Sequence, residues 1–353
     1  MTELPAAFPV STVPAPSAGP TLRWGVMAPG GIAIRFVESL QKHTGQQVVA
    51  VGSRSAERAR EFASRFGIER AYGSYEQLAE DPGVDAVYVA APNSEHRRLA
   101  LLAIAAGKHA LVEKPFTDTA AEAREIAAAG RAAGVVVMEA MWTRYLPQSD
   151  VIRQLLAAGT LGEVRFVAAD HGQKLPTDSR LYKPELGGGA LLDLGVYPVA
   201  FAFSILGRPA SVVAHGSLTA NGLDAQSVVS LGYPSGAQAA VTTTMLARTP
   251  TGAVVAGTEA LLQGKGPFYA PSTFTLSLPP TATGPSITWQ DEAGIVGGEG
   301  LCYQAAALAR YAAEGRIESP LLPLDESIAI MGVLEEARHQ VGAYLPGETR
   351  PEG

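Results

Sequence analysis

The chain contains one cysteine, Cys302, among 353 residues. That excludes an intramolecular disulfide framework and a multi-cysteine zinc site. The six histidines show no metal-ligand spacing, so no metal site is expected. Basic residues are outnumbered, 27 Lys and Arg against 34 Asp and Glu, for a net charge of −7. A general nucleic-acid binder would carry the opposite balance. Long apolar runs are missing as well. The longest charge-free one, Leu194 to Leu206, is too short for a bilayer and carries Pro198. The N-terminus lacks a basic n-region, carries Glu3, and is interrupted by Pro5, Pro9, Pro14 and Pro16, unlike a signal peptide. H-E-x-x-H, G-x-S-x-G and Walker motifs are absent, which removes the metallohydrolase, serine esterase and NTPase readings. A soluble cytoplasmic protein with no membrane or nucleic-acid partner is the simplest reading.

What is present is a 47% hydrophobic chain long enough for two domains, with 38 glycines and 25 prolines. Residues 1–21 are rich in Ala, Pro and Ser and read as a disordered or extended arm. From Leu22 to Glu139, short apolar runs alternate with helical stretches. The strand-like runs are Leu22–Met27, Gln47–Gly52, Val84–Ala91, Ala110–Val112 and Val135–Glu139. Helices fit Ile32–His43, Ser55–Phe66, Ser94–Ala106 and Thr119–Ala133. Strands without polar alternation between helices predict an α/β fold opening with a doubly wound parallel Rossmann sheet, residues 22–146. Farther on, Glu163–His171, Ala210–Thr219, Gln226–Tyr233, Gly236–Leu246 and Ala253–Gln263 read as longer strands between turn signals such as Asn221-Gly222. They predict a C-terminal α+β domain, 147–345, with a large, mainly antiparallel open sheet, followed by a tail at 346–353. Helices fit the stretch after Leu181, Glu299–Glu314 and Leu324–Val341.

The first strand meets its helix at Ala28-Pro29-Gly30-Gly31-Ile32-Ala33. This matches G-x-G-x-x-G/A at the second and third positions but has Ala28 at the first. Gly30 would let backbone approach a pyrophosphate at the helix N-terminus, although an ordinary βα turn would look the same. Twenty residues past Ala33, where an NAD site carries an acid, stand Ser53 and Arg54. Arginine offers planar charged donors to a 2′-phosphate, so NADP is favoured over NAD.

The segment Gly107-Lys108-His109-Ala110-Leu111-Val112-Glu113-Lys114-Pro115 resembles the AGKHVLCEKP run of the Gfo/Idh/MocA oxidoreductases. Met138–Pro147, Gly187–Tyr197, Gly298–Gly300 and Ser319–Glu326 resemble, in order, further segments of its dihydrodiol and NADP-dependent xylose dehydrogenase branch. The resemblance implies a second domain with substrate residues on one sheet face and a dimer contact on the other. It also implies that Lys114 lies by the substrate hydroxyl and the nicotinamide, where it can polarise a carbonyl or help deprotonate an alcohol. Tyr197 stands where many relatives carry an acid/base histidine. A phenol titrates near 10, so it needs a nearby cation to act near neutrality. On an α-helix Asp193 would share the Tyr197 face and could orient a hydroxyl. Pro92, Asn93 and His96 are expected near the nicotinamide ribose, with Glu113, Trp142 and Arg144 also against the nucleotide. The glycines at 187–189 are expected where backbone approaches cofactor or substrate.

The reading is therefore an NADP-dependent oxidoreductase acting on a hydroxyl-bearing carbon of a sugar or its keto form, as a homodimer or larger homo-oligomer. Oxidation of a trans-dihydrodiol is the alternative within that class. A non-catalytic NADP-binding sensor is the alternative outside it.

Overall fold

The computed structural model describes residues 3–278 and 284–348; residues 349–353 of the expected tail lie outside the described residues. Contacts divide the chain into two units. A parallel-sheet unit comprises Pro14–Tyr145 and Gly298–Met331, and a mixed-sheet unit comprises Met1–Val13, Leu146–Gly297 and Gly332–Gly353. The division differs from a single cut after residue 146, because residues 298–331 return to the first unit.

The parallel-sheet unit runs β1 (Arg23–Met27), α1 (Gly31–His43), β2 (Gln47–Gly52), α2 (Ala56–Phe66), β3 (Arg70–Tyr72), α3 (Tyr75–Ala79), β4 (Ala86–Val89), α4 (His96–Ala105), β5 (His109–Val112), α5 (Ala120–Ala133) and β6 (Val137–Glu139). The strand order is β3-β2-β1-β4-β5-β6, every neighbouring pair parallel. The order reverses between β1 and β4, which opens a crevice at their carboxyl ends. All four β4 residues are buried, as both-face burial in a parallel sheet requires. Local chemistry sets the helix ends. Ser55 and Thr119 accept from the Arg58 and Glu122 amides at the starts of α2 and α5, and left-handed Gly67 and Gly134 stop them. The short β3 and α3 carry too few periodic residues to be read from sequence.

Two later stretches complete this unit. A turn at Gly297–Leu301 leads into α8 (Cys302–Ala313), and the Glu299 carboxylate pairs with Lys42 and His43 of α1. Residues 316–323 then run beside β6: the Val137 amide donates to the Ile317 carbonyl at 3.0 Å.

The mixed-sheet unit contains α6 (Pro147–Ala157), β7 (Val164–Gly172), α7 (Val196–Leu206), β8 (Ser211–Leu218), β9 (Asp224–Gly232), β10 (Gln238–Thr244), β11 (Ala253–Gly257), β12 (Leu261–Gly264), β13 (Phe274–Ser277) and β14 (Ser286–Trp289). Among the described residues its sheet has eight strands in the order β14-β13-β12-β11-β7-β10-β9-β8. Pairing is antiparallel except between β7 and β10. The expected strand Ala253–Gln263 is a hairpin, β11 and β12. β13 and β14, of four residues each, and α6 were not among the expected elements. Helices α8 (Cys302–Ala313) and α9 (Leu324–Val341) follow, and α9 runs from the first unit into the second.

Residues 10–12 are tied down within the mixed-sheet unit. The Thr12 amide donates to Asp150 Oδ2 at 2.7 Å, and Gln154 Nε2 donates to the Val10 carbonyl at 3.0 Å. The stretch Pro184–Leu206 is long and apolar enough to cross a membrane, with a mean hydropathy of 1.7, yet 78% of its apolar window is buried within the protein. That is the burial of a core helix.

Candidate active site

The parallel-sheet unit presents its candidates along the carboxyl edge of one sheet. After β1, Ala28 takes φ 66°, the left-handed conformation that the missing glycine would adopt without strain. The Gly30 amide donates to the Ala28 carbonyl at 2.8 Å, closing the turn. A Cβ on Gly31 would meet nothing within 4 Å, and one on Gly30 only the Ala28 carbonyl oxygen at 3.9 Å. α1 then begins with no side-chain cap and no acid in its first turn. Free amides facing open space suit a pyrophosphate. Ile32 is half-buried at the start of α1. After β2, Ser53 is buried and its hydroxyl accepts from the Ser55 amide at 3.2 Å, while Arg54 is exposed. The edge thus offers an anion cradle and, beyond it, an exposed guanidinium.

After β4, Pro92 precedes the buried Asn93. His96 is wholly buried, with Nδ1 2.9 Å from the Pro115 carbonyl oxygen and Nε2 2.9 Å from that of Ala91. A neutral ring can donate to only one of these at a time. The ring joins the turn after β4 to the segment after β5, which is a scaffold placement. After β5, the buried Glu113 accepts from the Tyr88 hydroxyl at 2.5 Å, and Lys114 is half-buried beside it. Arg144 is buried and paired with Glu326, and it also donates to the Leu321 carbonyl at 3.3 Å. Its guanidinium thus joins residues 142–145 to 319–327. Trp142 is buried in the same turn.

Glu139, which the sequence reading passed over, ends β6 opposite Val112 in the parallel register. Its Oε2 accepts from the Ser327 hydroxyl at 2.6 Å, and its buried Oε1 has no hydrogen-bond partner. Burial pushes this carboxyl up to about 7, against the opposing pull of Ser327, Arg144 and the Phe116 amide, and the neighbouring Glu113 adds to the rise.

The mixed-sheet unit places its candidates on one irregular helical entry. Short turns at Arg180–Tyr182 and Pro184–Leu186 precede a π-helical turn, Leu191–Gly195, which runs into α7. The glycines before it are packed against protein. A Cβ on Gly188 would come within 2.6 Å of the Leu181 carbonyl oxygen, and one on Gly189, at φ 110°, within 2.3 Å of Asp224 Oδ1. Their expected role toward a ligand gives way to this close approach of backbone and carboxyl. Asp224 is wholly buried, and its Oδ2 accepts from the Leu191 amide at 2.6 Å. Burial pushes this acid up to about 7.

The 193–197 spacing crosses from the π turn into α7, and both residues are buried. Asp193 pairs with Arg180, while Lys174 and Asp178 are exposed. The Tyr197 ring stacks on Tyr269 at 4.3 Å between centroids and 20° between planes, and lies 5.5 Å from the His171 ring. His171 is buried; its Nε2 is 3.0 Å from Gln173 Nε2, an amide donor, so its proton is assigned to Nδ1, which faces the Leu194 carbonyl at 3.2 Å. Gln148 of α6 donates to the Phe268 and Ala270 carbonyls at 2.9 and 2.8 Å, fixing the backbone on both sides of Tyr269. Neither His171 nor Tyr269 falls in a spacing that sequence alone reveals. Glu335, His339 and Glu348 also approach one another, but the Glu348 carboxylate is already taken by the two Nη atoms of buried Arg338.

Comparison with known proteins fits both units. A family model described as an oxidoreductase family with an NAD-binding Rossmann fold matches residues 22–141. The GFO/IDH/MocA C-terminal domain matches residues 149–263. The trans-1,2-dihydrobenzene-1,2-diol dehydrogenase of Mus musculus is 37% identical over 333 residues, covering 93% of this chain and 99% of the relative. The Homo sapiens enzyme of the same name is 35% identical over 340 residues, 93% of this chain and 99% of its own. Among solved structures, a 3-ketoreductase from Actinomadura kijaniata in complex with NADP and TDP-benzene has a TM-score of 0.79 at 27% identity, over 90% of this chain and 97% of that one.

Proposed function

The chain belongs to the Gfo/Idh/MocA oxidoreductase family, and from that premise we propose that it is an NADP-dependent dehydrogenase or reductase acting on a CH–OH group of a vicinal diol, in a sugar or a cyclic trans-dihydrodiol. One observation carries the reading: Lys114 follows β5 on the sheet edge that also bears the open glycine turn after β1. In a doubly wound sheet that edge is where cofactor and substrate bind.

The residues fit NADP. The Gly30–Gly31 backbone and the α1 N-terminus would hold the pyrophosphate, with Ala28 and Ile32 shaping the turn. Arg54 would take the 2′-phosphate in preference to NAD, and Ser53 would shape the loop that presents it. Pro92 and Asn93 would lie along the ribose, with His96 fixing their turn. NADP supplies the hydride donor or acceptor when bound. Lys114 would donate to the substrate oxygen, stabilising charge that grows there, with Glu113 and Trp142 backing its segment. Tyr197 would hold or release the proton at its hydroxyl, and Asp193, oriented by Arg180, would bind a second substrate hydroxyl. The stacked rings of Tyr197 and Tyr269 favour a flat cyclic diol as a second reading beside a sugar.

Exposed Val213 and Val228 on neighbouring strands of the mixed sheet support a homo-oligomer through that face.

The test measures NADP+ reduction over a panel of aldoses and cyclic diols by the parent, Lys114→Ala and Tyr197→Phe. Each variant is expected to lose about 10²–10⁴-fold in kcat, the range for removal of an acid/base group. NADPH binding without turnover by the parent on every substrate would identify a sensor instead.

A further inference from the structure

His171 of β7 enters no step described above, yet it meets both the backbone and the ring on which such a step depends. Tyr197 lies in the first turn of α7, two residues past the π turn Leu191–Gly195. The winding of that turn therefore sets where the phenol points. A π turn is an uncommon conformation that its surroundings must hold. Three neighbouring strands of the mixed sheet, β7, β10 and β9, reach it. Asp224 of β9 accepts from the Leu191 amide at 2.6 Å, and the Thr243 hydroxyl of β10 donates to the Ala190 carbonyl at 3.3 Å. Both take the start of the turn. His171 takes its end, with Nδ1 3.2 Å from the Leu194 carbonyl oxygen.

A carbonyl oxygen only accepts, so the hydrogen of this bond sits on Nδ1. Gln173 fits that tautomer. Its amide is anchored on the Thr244 carbonyl at 2.9 Å, and its Nε2 faces the His171 Nε2 at 3.0 Å. A neutral imidazole that accepts at Nε2 donates from Nδ1. The same ring, 2% exposed, lies 5.5 Å from the Tyr197 ring and 4.7 Å from the Tyr269 ring between centroids. Tyr269 is a firm backing, because the Phe268 amide donates to the Thr251 carbonyl at 3.0 Å and Gln148 grips the carbonyls on either side.

We propose that His171 is a positioning residue for Tyr197, fixing the end of the π turn through its Nδ1–H bond to the Leu194 carbonyl while its ring packs against the phenol. The proposal rests on the reading of Tyr197 as the proton carrier. A hydroxyl that passes a proton has to stand within hydrogen-bond reach of the substrate oxygen. A displacement of about 1 Å costs on the order of 10²-fold in rate.

Two replacements separate the bond from the ring. Asparagine places an N–H near the Nδ1 position, and phenylalanine keeps a ring but offers no donor. In the apo protein, amide exchange over residues 191–199 is followed by mass spectrometry, with residues 226–232 of β9 as the control. His171→Phe is expected to speed exchange over 191–199 about ten-fold, the size of one lost hydrogen bond, and to leave β9 unchanged. His171→Asn stays within about three-fold of the parent in both. In kinetics, kcat of His171→Phe is expected to fall about ten-fold while KM and NADP+ Kd stay within about two-fold, and His171→Asn restores kcat to within about three-fold. Should His171→Phe fail to fold, His171→Gln is the second variant: its amide reaches the Nε2 position and misses Leu194, so the same losses are expected. Unchanged exchange over 191–199 in the variant without a donor overturns the proposal. So does an equal rise in β9, which marks a general loss of stability, or an equal loss of kcat in His171→Asn. A parent that turns over no diol refutes the reading of Tyr197 instead, and the exchange experiment, which needs no substrate, decides the hold on the turn by itself.

Discussion

The two units reach their sites by different means. In the parallel-sheet unit the backbone does most of the work: strand ends, a helix N-terminus and a turn with open space around Gly30 and Gly31. In the mixed-sheet unit the candidate residues hang on side chains beneath one irregular turn, with Asp224 under the π-helical entry and Gln148 holding the Tyr269 loop. Yet both bury one carboxyl whose pKa burial raises, Glu139 in the first and Asp224 in the second. The difference teaches that a glycine or an acid near a site can belong to the ligand or to the scaffold, and that its surroundings decide which.

The strongest test of that comparison uses the two acids. Each has a folded pKa raised to about 7, above its unfolded value. Such a group lends its full stability below the unfolded pKa and withdraws it as pH rises through the folded pKa. For Asp224 the rise from 3.8 to about 7 corresponds to about 4 kcal/mol lost between roughly pH 4 and pH 7. For Glu139, from 4.5 to about 7, the loss is about 3 kcal/mol. Urea unfolding across this range should show Asp224→Asn and Glu139→Gln each gaining on the parent as pH rises, Asp224→Asn by more. Parallel curves for parent and variants would refute the assigned burial.

The glycines give the next contrast. Gly189→Ala forces an L side chain to φ 110° and into Asp224, and should cost about 3 kcal/mol. Gly30→Ala meets only one atom near 4 Å and has an ordinary φ of −108°, so stability should change by about 0.5 kcal/mol or less. Its NADP+ affinity should nevertheless fall at least about ten-fold, because the Cβ occupies the space a pyrophosphate needs. Chemical unfolding and NADP+ titration of the same two proteins decide it. If Gly30→Ala binds normally, the open space has another use.

How much was legible follows the same line. The buried strands β1, β2, β4 and β5 announce themselves as unbroken apolar runs, and the helices between them carry caps at Ser55 and Thr119 that sequence states outright. That Gly30, Ser53, Arg54 and Lys114 follow the ends of strands was readable because a doubly wound sheet places βα turns at one edge. Illegible were the groups brought in from afar. Glu139 meets Ser327 across 188 residues, and Asp224 meets Leu191 across 33. No local period encodes such pairings. The π turn at Leu191–Gly195 was not visible either, and only the fold shows what presses on Gly188 and Gly189.

A milder test separates the two nucleotides. Arg54 is exposed and sits just past β2, so Arg54→Ala should leave stability within about 0.5 kcal/mol. NADP+ affinity should drop about ten-fold, one charge-assisted contact, while NAD+ affinity stays constant. Equal losses for both nucleotides would place Arg54 away from the 2′-phosphate.

The smallest expected effect concerns Ala28. Its φ of 66° places an L residue where glycine has no steric penalty, a strain of roughly 1 kcal/mol. Ala28→Gly removes that strain but adds freedom to the unfolded chain, so the net gain should stay below about 1 kcal/mol. The turn is also closed by the Gly30 amide on the Ala28 carbonyl and by the Ala28 amide on Gly52 at 3.1 Å, bonds that need no side chain. NADP+ binding should therefore be unchanged or slightly tighter. A stability loss on Ala28→Gly would mean that the methyl group packs to some purpose, and that the backbone alone does not shape this turn.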